Sequence, residues 1–341
     1  MKFVKVKTSE GERTRKELAQ AGVLDPAYKI INKDGYLYFA IKKDIAGYDI
    51  VTLRGQKFKS KKPKTLEEAL EGELSYEEIR LATKSFDIIG DLAIIEIPEE
   101  MKHKEKLIAN ALISVHPNVK VVAKKTGAME GEFRVRPLKV IAGENRTETI
   151  HKENDCLMRI DPAKSYYSVR LSHERERIAE LVKDGETVLV MFAGVGPFAL
   201  VIAKKKPKTK VVGIELNPAA TACFQENIKL NKLNNCEAVL GDVREVIPKR
   251  FVGFADRILM PLPKSAFDFL DVAIMAAKDN AIIHFYCFGK EETVFEDARA
   301  MVNNAAKKSG VKSEIVNQKI VRPYAPRIVQ ISTDFKIMRG L

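Results

Sequence analysis

The sequence predicts an α/β protein whose C-terminal part is a doubly wound, Rossmann-like parallel sheet, preceded by two smaller α+β domains. Three observations carry that prediction. Beyond Ile150, apolar strand, turn and helix repeat through Thr187 to Met191, Pro197 to Lys204, Lys210 to Ile214 and Pro218 to Leu230, the grammar of parallel strands covered on both faces. Before Ile150 the periodicities are shorter and mixed. A cationic run without an acid (Arg54, Lys57, Lys59, Lys61, Lys62 and Lys64) separates the first small module from the second, placing domains at 1–62, 63–150 and 151–341.

In the first module the alternation from Met1 to Lys7 predicts a strand and Glu10 to Ala21 a helix. Tyr28 to Ile31 and Tyr36 to Ile41 form a hairpin about Asp34-Gly35. The basic run reads as a solvated linker, with phosphate contact as the alternative. The second module has strands at Phe86 to Ile89, Leu92 to Ile97 and Val119 to Ala123, and a helix from Glu99 to Val115. In the third, Leu171 to Leu181 is a helix, Ile258 to Met260 and Ala281 to Phe285 extend the parallel sheet, and Ser313 to Ile320 with Arg327 to Ile331 pair antiparallel at one edge.

Of 341 residues, 58 are Lys or Arg and 46 Asp or Glu, a net charge of +12 that favours a polyanionic partner, nucleic acid before an anionic membrane surface. With 45% apolar and 30% charged residues, wholesale disorder is excluded. Cys156, Cys223, Cys236 and Cys287 form no C-x-x-C pair, which argues against a structural zinc site or a disulfide framework and for reduced thiols in the cytoplasm. No signal-peptide core or long apolar span is present, so no membrane segment is expected.

The turn Met191-Phe192-Ala193-Gly194-Val195-Gly196-Pro197-Phe198 joins a strand to a helix, where backbone without side chains lets a ligand approach. Pro197 suits the first helical turn. Gly194, Gly196 and Ala199 also satisfy the permissive dinucleotide fingerprint, so the turn alone does not separate a nicotinamide enzyme from a methyltransferase. Glu215, at the next strand end, has the position of a carboxylate that accepts from ribose hydroxyls. Gly241-Asp242-Val243 follows the third strand, and Met260-Pro261-Leu262-Pro263-Lys264 the fourth. Asp242 alone reads equally as a helix cap, and the Pro-rich turn as a helix stop; their joint spacing points to one crevice.

With Gly131-Glu132-Phe133-Arg134-Val135-Arg136, Ala142 to Thr147, Thr149 to Asn154, Arg170 to Arg175, Met191 to Phe198, Asp242 to Glu245, Leu262 to Lys264 and Tyr324 to Arg327, the chain resembles the archaeal and eukaryotic tRNA (guanine-37 N1)-methyltransferases over essentially its whole length. The resemblance implies a C-terminal class I methyltransferase domain using S-adenosylmethionine. It also implies a small N-terminal domain that checks the tRNA elbow, and methyl transfer to the guanine just 3′ of the anticodon, flipped from its stack.

Guanine N1 carries a proton, so its attack on a sulfonium methyl needs a base and a cation for charge on O6. The resemblance assigns these to Glu174 and Arg134, with Tyr166 beside the flipped base and Pro261 at the pocket. As cofactor contacts it implies Arg175 on the methionine carboxylate, Phe192, Ala193, Gly194, Val195, Gly196, Glu215, Leu216, Asp242, Val243 and Pro261. As tRNA contacts it implies Arg136, Asn145, Lys264, Arg322, Tyr324 and Arg327. From periodicity alone Glu174 reads as a solvated helix carboxylate, Arg134 as a strand-surface charge and Arg175 as an exposed helix arginine.

Two departures stand out: Pro261 replaces the family's Asn before Leu-Pro-Lys, and Val190 replaces an Asp. They resemble the archaeal subgroup that also methylates C7 of 4-demethylwyosine at position 37 of tRNA(Phe), and the dual activity is an expectation here. Alternatives are transfer of the aminocarboxypropyl group, a nicotinamide dehydrogenase, and a non-catalytic tRNA-binding factor. No metal and no protein partner are expected, and a monomer is.

Overall fold

The computed structural model describes residues 1–56, 63–82, 86–127, 131, 133 and 135–339. Arg134, and Lys57, Lys59, Lys61 and Lys62 of the basic run, lie outside the described residues. The chain divides into two units, Met1–Lys64 and Thr65–Leu341.

In the first unit, β1 (Lys2–Lys7), α1 (Gly11–Gln20), β2 (Ile31–Lys33), β3 (Tyr36–Ala40) and β4 (Asp49–Thr52) form an antiparallel sheet ordered β2-β3-β1-β4. Asp34 and Gly35, at φ 53° and 76°, make the two-residue turn, whose positive dihedrals match the twist of the flanking strands. Val4, Val6, Phe39 and Leu18 of α1 share its core.

The second unit opens with α2 (Leu66–Leu70), α3 (Tyr76–Ala82), β5 (Phe86–Ile89), β6 (Leu92–Ile95), α4 (Glu105–Val115), β7 (Val121–Lys125) and β8 (Leu138–Gly143). The sheet order is β5-β6-β7-β8. The helix expected from Glu99 is a 3₁₀ turn over Glu99–Lys104 before α4 begins. A hairpin follows, β9 (Thr149–Glu153) and β10 (Cys156–Ile160), turned at Asn154 and Asp155 with φ 45° and 60°.

Then come α5 (Ser172–Leu181), β11 (Thr187–Met191), α6 (Pro197–Lys205), β12 (Lys210–Glu215), α7 (Pro218–Leu230), β13 (Cys236–Leu240), α8 (Val243–Arg250), β14 (Ala255–Met260), α9 (Leu270–Ala276), β15 (Ala277–Lys290), α10 (Val294–Lys308), β16 (Lys312–Ala325) and β17 (Ile328–Met338). The sheet order is β13-β12-β11-β14-β15-β17-β16, parallel through β15, with β17 and β16 antiparallel at the edge as the sequence predicts.

Alternate residues of the central strands serve opposite faces. Leu189, Met191, Val212 and Ile214 pack with α8, α9 and α10, whereas Val188, Val190 and Val211 pack with α5, α6 and α7. The latter core also contains Ile89, Leu92 and Val121 of the four-stranded sheet and Cys156, Met158 and Ile160 of β10. The middle and C-terminal segments therefore share one core. Two amides, Asn227 on α7 and Asn231 at its C-terminal cap, complete the hairpin: Asn231 exchanges hydrogen bonds with the Leu157 backbone (2.8 and 2.6 Å) and Asn227 with that of Arg159 (2.6 and 3.1 Å), supplying the partners that an outer strand lacks. Among the described residues no helix is long and apolar enough to cross a membrane.

Candidate active site

The parallel strands deliver backbone and carboxylates to one crevice. Past β11 the chain turns through Phe192, Gly194 and Gly196 at φ 56°, 58° and 88°. A Cβ on Gly196 would stand 2.1 Å from the Phe224 ring, so this residue is fixed by its dihedral and by close helix packing together. Glu215 Oε2 accepts from Gly194 N (2.7 Å) and Oε1 from Asn217 N (2.8 Å). Burial pushes the Glu215 carboxyl above its ordinary range, against the backbone N–H groups of Asn217, Gly194 and Leu216. The carboxylate thus shapes the loop, and its remaining lone pairs leave acceptor capacity for ligand hydroxyls.

Asp242 caps α8, its Oδ1 accepting from Arg244 N at 2.8 Å, the local role considered above; Val243 is buried behind it. Leu216, half-buried, follows Glu215. Phe192 and Phe269 meet edge-to-face at 4.9 Å, with the Arg244 guanidinium 3.9 Å from the Phe269 ring centre. Pro261 sits in a tight turn closed by Leu262 N on Met260 O (2.8 Å), and Pro263 O accepts from Phe288 N (3.3 Å). A glycine-lined turn, two carboxylates at successive strand ends and an aromatic pair fit a nucleoside-bearing cofactor. Arg244 lies within the Asp242 to Glu245 motif but was assigned no role from sequence, and Phe269 and Phe288 carried no motif signal.

A groove of about 250 Å³ lies within the second unit, lined in part by Arg136, Ser165, Tyr166, Arg170, Arg322 and Tyr324. Its charged lining includes Lys125, Arg136, Arg170 and Arg322 against Asp87, a composition suited to an anionic ligand. Among the described residues, Arg136 Nε is buried without a hydrogen-bond partner. Arg170 donates to Asp87 (2.9 Å) and Arg322 to Gln330 (2.9 Å). Tyr166 is 44% and Tyr324 58% exposed, and Tyr324 packs on Phe288 at 4.1 Å. The Tyr166 carbonyl lies 3.7 Å from a Cβ built on Gly194, so one segment borders both groove and cofactor turn. Asn145 and Lys264 are exposed and line no part of this groove, and Arg327 occupies the exposed turn between β16 and β17 at φ 59°.

Glu174 is not a solvated carboxylate: it is 5% exposed in the first turn of α5. Arg177 grips it with Nε on Oε2 (2.8 Å) and Nη2 on Oε1 (2.6 Å), and the Tyr286 hydroxyl donates to Oε1 (2.6 Å).

Arg175 is not the exposed helix arginine that periodicity predicts: it is 1% exposed. Its Nε and Nη2 hold Glu153 Oε1 and Oε2, each at 2.6 Å, and Nη2 also reaches Ser168 O (3.0 Å). The reason lies in the β9–β10 hairpin, which the sequence reading missed and which buries Glu153 beneath α5. Burial alone would push the Glu153 carboxyl up, but His151 nearby at 3.8 Å and the hydrogen bonds from Arg175 and Tyr167 outweigh it and hold it at about 2.

The same hairpin ties the other motifs together. Asn154 Nδ2 donates to Ser172 O (3.2 Å), His151 Nδ1 accepts from Gly90 N (3.1 Å), and Asp91 receives Arg146 at 2.6 and 2.9 Å and the Thr149 hydroxyl at 2.7 Å. The Asn145 to Asn154 stretch is thus a joint between the four-stranded sheet and α5.

Comparison with known proteins follows the same division. The TRM5/TYW2 methyltransferase domain matches residues 149–316, the TYW2 N-terminal domain residues 66–147, and the tRNA methyltransferase 5 N-terminal domain residues 4–49. The tRNA (guanine(37)-N(1))-methyltransferase Trm5b of Pyrococcus abyssi is 43% identical over 334 residues, 98% of each chain. The tRNA (guanine(37)-N(1))/4-demethylwyosine(37)-methyltransferase Taw22 of Nanoarchaeum equitans is 33% identical over 298 residues, 72% of this chain and 98% of its own. Among solved structures, the complex of aTrm5 with tRNALeu superposes with a TM-score of 0.73 at 35% identity, covering 98% of this chain and 99% of that one.

Proposed function

Because the chain belongs to the TRM5/TYW2 methyltransferase family, we propose that it transfers the methyl of S-adenosylmethionine to N1 of guanosine 37 in tRNA. The observation that carries this reading is the Tyr166 segment, which borders the cationic groove on one side and Gly194 of the cofactor turn on the other. A base stacked on Tyr166 would lie next to the strand ends. The sulfonium supplies an electrophilic carbon; the chain must hold the purine, take its proton and balance charge on O6.

Glu174 is the base and Arg134 the O6 donor. Phe192 to Gly196, Glu215, Leu216, Asp242, Val243 and Pro261 hold the cofactor: the glycine turn takes its backbone, Glu215 the ribose, and the strand-end residues the adenine. Arg136, Arg322 and Tyr324 take the phosphates and bases of the anticodon loop, with Asn145, Lys264 and Arg327 as further contacts. The first unit contacts the tRNA elbow, a reading supported by Lys2, Lys5 and Lys7 along β1, Lys5 lying 4.3 Å from the Tyr36 ring centre. Domains at 1–62, 63–150 and 151–341, a monomeric state and a cytoplasmic location complete the proposal.

Pro261 favours a second substrate. A proline there presents no side-chain amide to orient guanine, and the Taw22 relative carries both activities in its name. We extend the proposal to C7 of 4-demethylwyosine in tRNA(Phe). The test uses S-adenosylmethionine labelled separately in the methyl and carboxyl carbons, with tRNA bearing guanosine or the tricycle at position 37. Methyl label in both products supports the reading. Carboxyl label would replace it with aminocarboxypropyl transfer, and label in neither would leave a binding factor.

A further inference from the structure

Glu174 stands at one end of a buried polar chain that crosses the α5 face of the large sheet. Arg177 donates Nη1 to Asp334 Oδ2 (3.2 Å) while both other guanidinium nitrogens hold Glu174. Asp334 also accepts from Ser332 Oγ (2.6 Å) and Asn317 Nδ2 (3.3 Å), and its Oδ1 meets His284 Nδ1 at 2.7 Å. His284 Nε2 lies 2.8 Å from Arg257 Nη1, and Arg257 pairs with Glu186 at 2.7 and 3.0 Å. Arginine only donates, so His284 Nε2 accepts and Nδ1 carries the hydrogen to Asp334. The histidine is therefore neutral, and burial lowers its pKa in the same sense.

Two guanidinium groups and three carboxylates then leave one unit of negative charge on this face. Such groups are expensive to bury, and well-packed apolar residues often do as well or better for stability. The arrangement offers instead a cation, Arg177, shared by two carboxylates, one of them the proposed base Glu174. Glu174 Oε1 accepts from two donors and Oε2 from one, so Oε2 keeps the lone pair for an incoming proton.

Resting on that reading of Glu174, we propose that Arg177, Tyr286 and Asp334 are positioning residues that set the proton affinity of Glu174, with Arg177 passing from Glu174 toward Asp334 as the proton arrives. The N1–H proton goes to Glu174 Oε2, the N1 electron pair forms the bond to carbon, and the carbon–sulfur pair returns to sulfur. The proton cancels the residual negative charge of the network, and its release to solvent restores the starting state. Arg177 from α5 and Tyr286 from β15 touch Glu174 directly, Ser332 and Asp334 from β17 reach it through Arg177, and α6 offers the apolar Phe198 ring, 6.1 Å from that of Tyr286.

The test is the pH profile of single-turnover methyl transfer to saturating guanosine-37 tRNA by the full chain. Tyr286→Phe removes one donor from the carboxylate and keeps the ring, so the acid limb should move up by ~0.5–1 pH unit. Asp334→Asn leaves Arg177 wholly to Glu174 and should move the limb down. Opposite displacements establish the unit. An unmoved limb in Tyr286→Phe overturns it, and that variant decides alone if Asp334→Asn fails to fold. Glu174→Gln separates the levels: undiminished transfer there rejects the base itself, whereas lost transfer with an unmoved Tyr286→Phe limb rejects only the positioning unit.

Discussion

Glu153 and Arg175 form a bidentate pair with both contacts at 2.6 Å and with side chains 4% and 1% exposed. One partner comes from the β9–β10 hairpin, the other from the helix that carries Glu174. The pair thus ties the hairpin to α5, beside the Asn154 contact with Ser172 O. Truncating one partner strands a buried charge, so Arg175→Ala should lose ~3–5 kcal/mol in urea unfolding. A loss below about 1 kcal/mol would mean that the hairpin docks without it.

Acid stability follows from the same carboxylate. Its folded value of about 2 lies below the ordinary carboxyl value of 4.5, so the folded state binds the proton less readily and stability falls as pH drops. The contribution is complete above the unfolded value and is lost between about 4.5 and about 2. Urea midpoints across this window should be less pH-dependent in Glu153→Gln than in the parent; parallel curves would show that other carboxylates govern acid unfolding.

Glu174→Gln should reduce single-turnover methyl transfer by ~10²–10⁴-fold while leaving tRNA affinity nearly unchanged. Filter binding beside the kinetic assay separates the two, and a matching loss in both would make Glu174 a structural residue.

Gly196→Ala combines a φ of 88° with a Cβ 2.1 Å from the Phe224 ring. It should destabilise the fold by more than ~1 kcal/mol and weaken S-adenosylmethionine binding in calorimetry. Unaltered affinity would place the cofactor away from this turn.

Arg322→Ala and Tyr324→Ala act differently on RNA. Loss of a phosphate-facing cation should lower the salt slope of tRNA binding by ~1, whereas loss of a stacking ring should weaken binding with the slope preserved. Equal slopes in both variants would remove Arg322 from the phosphate contacts.

The sequence alone reads the central sheet well. Thr187–Met191 and Pro218–Leu230 have the predicted bounds because apolar runs end at strong signals, Pro197 and Pro218 at helix starts and Asn217 as a cap. The β9–β10 hairpin, α2, α3, β4 and β8 escaped, being short or held from a distance. Leu157 depends on Asn231, 74 residues downstream, and no local pattern announces such a partner. The site divides the same way: glycine turn and strand-end carboxylates are local, whereas Glu174 meets Tyr286 across 112 positions and Arg177 meets Asp334 across 157. Periodicity also placed Glu174 and Arg175 in solvent, because it cannot register a polar partner that buries both.

The most direct test of the account is nucleoside mass analysis of guanosine-37 tRNA after incubation with the full chain and S-adenosylmethionine. It predicts 1-methylguanosine at position 37, formed by the parent and lost in Glu174→Gln. Methyl on another atom or another nucleotide, or a tRNA returned unmodified, would contradict it.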